Sequence, residues 1–232
     1  PFIAQTELLY DDGLGDGGAL HLMKVNRAKK TVPQVEEISL KDLFHLTGSS
    51  TPNDGLWRRS LKDYTQRFQT KVQVHLEGHE PVTVSQSSHS SWEKSDPMTT
   101  GGTIWDAALL LSAYLSTRCK AQRTLELGSG TGLVGLVASR LGAKVTFTDL
   151  PGMLPLLEAN VKENHVDAEI RPLVWQDAAS SWISVGHSYD LVLMSDVLYH
   201  AEQYEALLTV LRYIIPSCAN VCNSSYVLRV GE

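Results

Sequence analysis

The sequence predicts an α/β fold in which an open, mostly parallel, twisted sheet carries helices on both faces. Two observations support this prediction. From residue 122 to residue 222, apolar runs of strand length alternate with segments whose apolar residues recur at helical spacing. The first of these strands also ends in a glycine-rich turn that opens directly onto a helix. Open α/β sheets bind nucleotide-like ligands at such a turn.

Five strands are predicted in this region because each is a short apolar run between polar or turn residues. They are Arg123–Leu127, Lys144–Asp149, Ala168–Trp175, Tyr189–Asp196 and Ala219–Tyr226. The helices between them are predicted at Leu133–Leu141, Met153–Glu163 and Ala201–Ile214. Gly142 is expected to end the first helix. The last helix is expected to bury one stripe made of Leu207, Leu208, Leu211 and Ile214.

The residues ahead of this region predict an N-terminal extension. Lys71–Leu76 and Pro81–Ser85 both alternate apolar and polar residues around a short turn, which predicts a β-hairpin. An apolar helix is predicted at Trp105–Leu115, and short helices are predicted upstream at Ile38–Leu46 and Leu56–Phe68. We expect residues 1–98 to form the extension, with the hairpin near residues 71–87, and residues 99–232 to form the ligand-binding domain.

Composition narrows the functional class. The chain has 232 residues and a net charge of −6, which disfavours a nonspecific nucleic-acid binder. Its three cysteines lack disulfide or metal-ligand spacing, so we expect no metal site and a reducing compartment. No run approaches 18 apolar residues and no signal peptide is visible. We expect a monomer that does not enter membranes and is cytoplasmic, with a nuclear location as the alternative.

The glycine-rich turn, Glu126–Gly132, indicates the kind of ligand. Glycines at alternate positions let the backbone approach a ligand closely, and Asp149 at the end of the next strand suits a ribose diol. A dinucleotide fingerprint needs a glycine where this chain has Leu133, and Glu126 would repel a phosphate. The turn therefore suits a cationic ligand or an amino group. A similar turn in some other α/β enzyme is the alternative.

Further polar and aromatic residues follow neighbouring elements of the predicted sheet. Trp175 ends the third strand, Ser195 and Asp196 end the fourth, and Trp105 begins the apolar helix. The carboxyl ends of neighbouring parallel strands converge on a single crevice. The sequence therefore predicts one pocket that gathers these residues around the glycine-rich turn.

These segments together resemble class I (seven-β-strand) S-adenosylmethionine-dependent protein-lysine methyltransferases, in the branch that includes the methyltransferase of valosin-containing protein. The resemblance covers residues 71–229. Its motifs are G-G-x-x-W-D-A-A from Gly101, E-L-G-S-G-T-G from Glu126, T-D-L from Thr148, L-x-W from Leu173 and D-x-x-Y from Asp196. It implies a Rossmann-like fold and methyl transfer from S-adenosyl-L-methionine to the side-chain nitrogen of a lysine in a protein substrate.

The resemblance also implies a role for individual residues. Cofactor-binding roles fall on Trp105, Glu126, Gly128, Ser129, Gly130, Asp149, Leu150, Trp175 and Ser195. Within this set, Trp105 would contact the methionine portion, Asp149 the ribose and Trp175 the adenine, while the glycine turn would contribute its backbone. Asp196 and Tyr199 would be catalytic, at the mouth where the acceptor lysine enters.

Structural alternatives exist for several of these residues. Trp105 and Trp175 are also compatible with core aromatics, Asp196 with a helix cap and Tyr199 with packing beneath a helix.

The sequence stops at Glu232, soon after the last predicted strand, so we expect the C-terminal strand pair of this family to be incomplete. An unpaired late strand would be an exposed edge. Two functions therefore remain beside protein-lysine methylation. One is a methyltransferase for a small molecule or a nucleic acid, and the other is a non-catalytic interaction module that retains the fold.

Overall fold

The computed structural model describes residues 35–40, 71–87, 100–118, 123–185, 189–214 and 226–228. The strands of this part are β1 (Val35–Ser39), β2 (Lys71–His75), β3 (Val82–Ser85), β4 (Arg123–Leu127), β5 (Lys144–Asp149), β6 (Glu169–Pro172), β7 (Leu191–Ser195) and β8 (Tyr226–Leu228). Its α-helices are α1 (Asp106–Arg118), α2 (Leu133–Arg140), α3 (Leu154–Glu163) and α4 (Tyr204–Ile214). Short 3₁₀ turns lie at Pro151–Met153, Trp175–Ser180, Trp182–Val185 and Ala201–Gln203.

Five of the described strands form one parallel sheet in the order β6-β5-β4-β7-β8. The central strands β4, β5 and β7 are buried along almost their whole length, as expected for strands covered on both faces. Since every pair of neighbouring strands in this sheet is parallel, the carboxyl ends of β5, β4 and β7 lie side by side at one edge of the sheet. The predicted open α/β sheet is confirmed. The seven strands and the incomplete C-terminal pair stay predictions.

Two apolar cores cover the two faces of this sheet. One joins α1, α2 and buried residues of α3 to the valines of β2 and β3. The other joins α4 and the 3₁₀ turns to the inward residues of β4 and β7, including Leu125 and Leu127. Because strand side chains alternate, Glu126 faces the opposite side of the sheet from Leu125 and Leu127, the side that α2 covers.

The predicted hairpin is confirmed: β2 and β3 pair antiparallel, with Val72 opposite Val84. Two asparagines four residues apart, Asn160 in α3 and Asn164 directly after it, bind the edge of β3. Asn160 accepts from the Ser85 N–H (2.9 Å) and donates to the Ser85 carbonyl (3.0 Å). Asn164 does the same with Thr83 (2.9 and 2.6 Å). The two amides thus take the place of a neighbouring strand and satisfy the backbone of β3.

Most predicted boundaries agree with the structure, and β4 and β5 agree residue for residue. Gly142 follows α2 with a φ of +95°, the left-handed conformation expected after a helix. Strand β6 is shorter than predicted: it ends at Pro172, opposite Asp149 at the end of β5, and a 3₁₀ turn follows from Trp175. Strand β8 begins at Tyr226, and residues 219–225 of the fifth predicted strand lie outside the described part.

Two sequence predictions in this region differ from the structure in detail. The helix predicted at Ile38–Leu46 starts two residues later, because Ile38 and Ser39 belong to β1 and pair with β2; Leu40 is helical, and residues 41–46 lie outside the described part. The apolar stripe of α4 contains Val210 instead of Leu208, which is 44% exposed. The helix predicted at Leu56–Phe68 lies outside the described residues. No helix of the described part combines the length and apolar character that crossing a bilayer requires.

Candidate active site

The glycine-rich turn between β4 and α2 is held in left-handed backbone. Gly128, Gly130 and Gly132 have φ values of +65°, +54° and +83°. A Cβ on Gly128 would lie 2.9 Å from Cγ1 of Val197, and one on Gly130 would lie 2.8 Å from the carbonyl oxygen of Gly101. Only glycine combines this conformation with such close neighbours. The turn therefore touches both the end of β7 and the segment before α1.

Asp149 binds the same turn from the end of β5. Its Oδ2 accepts a hydrogen bond from the Gly130 N–H (2.6 Å), and its Oδ1 accepts one from the Leu150 N–H (2.7 Å). Burial raises the pKa of Asp149 above its ordinary range, against the lowering effect of these two hydrogen bonds. A carboxylate oxygen can accept more than one hydrogen bond. Asp149 therefore still has acceptor capacity for a ligand diol, and exposed Leu150 lies beside it.

Glu126 lies beneath the turn and is 2% exposed. Its Oε1 accepts a hydrogen bond from the Gly135 N–H of α2 (3.2 Å), while Oε2 has no partner among the described residues. Burial raises its pKa to about 8, and the hydrogen bond from the Gly135 backbone opposes this rise. Glu126 thus supports the turn and the start of α2 from inside. Its contact with a cationic ligand stays a prediction.

We expect the free energy of unfolding to fall as the pH rises from about 5 to about 8, because of Glu126. Its folded pKa of about 8 exceeds the ordinary 4.5, so the folded state binds the extra proton in this window. The stabilisation is complete below the ordinary pKa and is lost as pH rises through the folded one. At about 1.4 kcal/mol per pKa unit, the loss is on the order of a few kcal/mol.

Glu126→Gln cannot ionise and should flatten this pH dependence. Urea unfolding of both proteins at several pH values is the measurement. If the free energy of unfolding changed equally with pH in wild type and variant, Glu126 would not be the cause of the pH dependence.

Ser129 uses its side chain for structure. Its Oγ accepts from the Thr148 N–H (3.1 Å), and its own N–H donates to the Thr148 carbonyl (2.9 Å), so it joins the turn to β5. Any contact of Ser129 with a ligand would therefore come from its backbone, as the resemblance implies.

The two predicted tryptophans lie on either side of the turn. Trp175 is half-buried, and its Cζ2 lies 3.6 Å from the position of a Cβ on Gly128. Trp105 is also half-buried, and its Nε1 donates to the carbonyl of Thr100 (2.8 Å). Neither ring is enclosed as a fully buried core aromatic would be. The structure thus brings Trp175 directly to the glycine turn and places Trp105 on the segment that contacts Gly130.

The end of β7 completes the crevice. Asp196 has a φ of +56°, an uncommon conformation outside glycine, and Ser195 before it is half-buried. The 3₁₀ turn ahead of α4 has His200 at its N-cap, so Asp196 does not cap it. Tyr199 is 57% exposed, which excludes buried packing beneath the helix, and its hydroxyl lies 3.4 Å from Oγ1 of Thr100. The hydroxyl of Tyr199 therefore contacts the segment that includes Trp105.

Sequence reasoning missed three residues of this region: Gln86, Asn160 and Val197. Val197 lies against Gly128, and its place inside the D-x-x-Y motif was a usable signal. Gln86 and Asn160 bind backbone groups far away in the sequence, and no local pattern marks them.

Comparison with known proteins places the chain among methyltransferases. The family described as lysine methyltransferase matches residues 86–227. Protein N-lysine methyltransferase METTL21A of Mus musculus is 37% identical over 61% of this chain and 68% of its own length. EEF1A lysine methyltransferase 3 of Mus musculus is 31% identical over 72% of this chain and 71% of its own length.

The match to METTL21A of Danio rerio, at 40% identity, covers 48% of this chain and only 54% of that relative. The chain thus spans about half the length of that relative. Among solved structures, the 16S rRNA N2 G1207 methyltransferase of T. thermophilus (RsmC), in complex with AdoMet and guanosine, is similar at a TM-score of 0.44 and 18% identity. That similarity covers 60% of this chain and 37% of the other. Because the family match extends over more than half of the sequence, the chain belongs to the lysine methyltransferase family.

Proposed function

We propose that the chain catalyses methyl transfer from S-adenosyl-L-methionine to the side-chain nitrogen of a lysine in a protein substrate. One observation carries this proposal beyond family membership. The Asp149 carboxylate is bonded to Gly130, while the neighbouring Gly128 lies against Trp175 and Val197. A diol acceptor, a glycine-rich turn and an aromatic ring thus meet at one edge of the sheet. These are the groups that an adenosine-containing ligand without phosphate requires.

The residues of the crevice fit this cofactor. Asp149 would accept the ribose hydroxyls, Trp175 would pack on the adenine, and Trp105 would lie along the methionine portion. The backbone of Gly128, Ser129 and Gly130 would surround the ligand, with Glu126 supporting the turn from beneath and Leu150 and Ser195 beside it. When bound, the cofactor supplies a methyl group activated on a sulfonium. The protein then has mainly to position the acceptor.

The acceptor amine must lose its proton before it can react. A free lysine has a pKa near ~10.4, and desolvation at a narrow mouth favours its neutral form. We propose that the Asp196 carboxylate and the Tyr199 hydroxyl orient the amine, and that the proton leaves to water at this exposed end of the site. The half-buried position of Asp196 and the exposure of Tyr199 support this arrangement.

The charges near the acceptor side favour a lysine over a nucleic acid. The sequence from residue 172 to residue 211 contains no lysine or arginine. Asp177, Asp196, Glu202 and Glu205 lie in this stretch, after the carboxyl ends of β6 and β7. A phosphate backbone needs cationic partners, whereas a basic protein segment is attracted by carboxylates. The nucleic-acid alternative is therefore disfavoured.

A labelled-cofactor assay distinguishes the functions. The purified full chain is incubated with lysate and S-adenosylmethionine labelled on the methyl group, and the products are read by gel and mass spectrometry. We expect labelled protein that contains methyl-lysine. Label in RNA or in metabolites would support the alternative methyltransferases, and no label with intact folding would support the non-catalytic module.

We also propose that the protein acts as a monomer in the cytoplasm, with a nuclear location as the alternative. Light scattering of the purified chain tests its oligomeric state. Fractionation of cells into cytosol and nuclei tests its location.

A further inference from the structure

We infer that Gln86 is a positioning residue for the cofactor pocket, given the proposed function. Gln86 lies directly after β3, at the end of the hairpin, and is 5% exposed. It binds Thr103 and Ile104. These two residues belong to residues 100–105, here called the GGTIW segment after its last five residues, which includes Trp105 and touches the glycine turn. The hairpin would then act on cofactor binding partly through this buried amide.

Gln86 binds the GGTIW segment at two points. Its Oε1 accepts from the Thr103 hydroxyl (2.9 Å) and from the Ile104 N–H (2.7 Å). The next residue, Ser87, donates its N–H to the Gly102 carbonyl (2.8 Å). Three consecutive residues of the segment are therefore fixed by the two residues that follow the hairpin.

The GGTIW segment contacts the cofactor pocket at two places, so its position affects the pocket. The Gly101 carbonyl lies 2.8 Å from the position of a Cβ on Gly130, the residue that donates to Asp149. Trp105 donates to Thr100 at the start of the segment, so its ring is tied to the same backbone. A shift of the segment would therefore move Trp105 and remove the support of the glycine turn.

The end of the hairpin also supports the turn from a second side. The Asn160 amide donates to the carbonyl of Ser85 (3.0 Å) and to the carbonyl of Thr131 within the glycine turn (2.9 Å). Residues 85–87 are thus linked to both walls of the crevice, one through Asn160 and the other through Gln86.

The sequence explains why the segment needs such support. Gly101 and Gly102 give the backbone more conformational freedom than other residues would, so ordering this segment costs more entropy. A buried acceptor that binds both Thr103 and Ile104 restricts this freedom before the cofactor arrives. Preorganisation of this kind raises affinity without contact with the ligand.

The test replaces Gln86 by leucine, which has a side chain of similar volume but leaves the Ile104 N–H without its acceptor. We expect affinity for S-adenosylhomocysteine, measured by calorimetry well below the unfolding midpoint, to fall about tenfold, the loss typical of a missing buried hydrogen bond. The Ile104 amide should also exchange with solvent faster in the ligand-free protein. Gln86→Glu retains an acceptor oxygen and should restore most of the affinity.

Gln73→Leu is the matched control, because Gln73 lies on the same hairpin beside Thr83 and does not contact the segment. Gln73→Leu should leave the affinity for S-adenosylhomocysteine and the exchange rate of the Ile104 amide unchanged. Wild-type affinity and unchanged Ile104 exchange in Gln86→Leu would overturn the inference. Should that variant not fold, Thr103→Val removes one of the two hydrogen bonds, and unchanged affinity there overturns it equally. If the wild-type chain binds no S-adenosylhomocysteine, the proposed function fails, while Ile104 exchange still tests the positioning.

Discussion

Asp196→Ala is expected to lower the rate of methyl transfer by at least about 100-fold, the range found when a positioned catalytic group is lost. Cofactor affinity should change little, because the hydrogen bonds from Gly130 and Leu150 to Asp149 do not involve this side chain. Asp196 directly follows β7, and under the proposed function it would orient the lysine amine. Single-turnover kinetics with the identified protein substrate, together with calorimetry for the cofactor, separates the two effects.

The backbone of Asp196 requires a second variant. With a φ of +56°, alanine at this position would add strain on the order of 1 kcal/mol, whereas asparagine tolerates the left-handed region. Asp196→Asn should therefore fold as well as wild type and still lose transfer, because it lacks the charge.

His165, the other described non-glycine residue with positive φ, provides the control. It lies after α3, so His165→Gly should change stability without changing transfer. Substantial activity in Asp196→Asn would remove Asp196 from the catalytic role.

The sheet could be predicted from the sequence because its signals are local. Strands β4 and β5 are apolar runs closed by a glycine turn and by Asp149, and their observed bounds equal the predicted ones. Once the strands are parallel and adjacent, their carboxyl ends must meet. The contacts between Asp149, Trp175 and the glycine turn therefore follow from topology.

Features that depend on partners distant in the sequence could not be predicted. Ile38 lies in a segment with a helical pattern, but pairing with β2 makes it part of a strand, because tertiary context overrides local preference. Leu208 has the spacing of a buried residue, yet the second core is filled by Val210 from the same helix. Gln86 and Asn160 are polar residues whose partners are backbone groups, which have no sequence signature.

The position of Glu126 shows a different limit. Its charge next to a glycine turn indicates a cationic ligand, but strand alternation directs it toward α2, where Gly135 binds it. The sequence shows that a carboxyl group lies next to the turn. The direction of the Glu126 side chain, however, depends on which face of the sheet α2 covers.

Asp149→Ala is expected to weaken cofactor binding by at least about 100-fold, since two hydrogen bonds to a charged group contribute about 1.5–3 kcal/mol each. It also removes the acceptor of the Gly130 N–H, which loosens the turn. Asp149→Asn should bind the cofactor almost as weakly as Asp149→Ala. Its NH₂ group would face the N–H of either Gly130 or Leu150, and two donors cannot form a hydrogen bond. Calorimetry with S-adenosylhomocysteine is the measurement, and Asp167→Asn, an exposed aspartate beyond α3, is the control.

The pH dependence of binding gives an independent test of the same role. In the proposed ribose site, only the ionised Asp149 carboxylate would accept hydrogen bonds from both hydroxyls, so protonation should weaken binding. Since burial raises the pKa of Asp149 above the ordinary 3.8, wild-type affinity should begin to fall at a higher pH than an exposed aspartate would dictate. Asp149→Asn, which cannot ionise there, should lose this dependence. Unchanged cofactor affinity in Asp149→Ala would exclude Asp149 from the ribose site. So would a decrease of affinity at low pH in Asp149→Asn that equals the decrease in wild type.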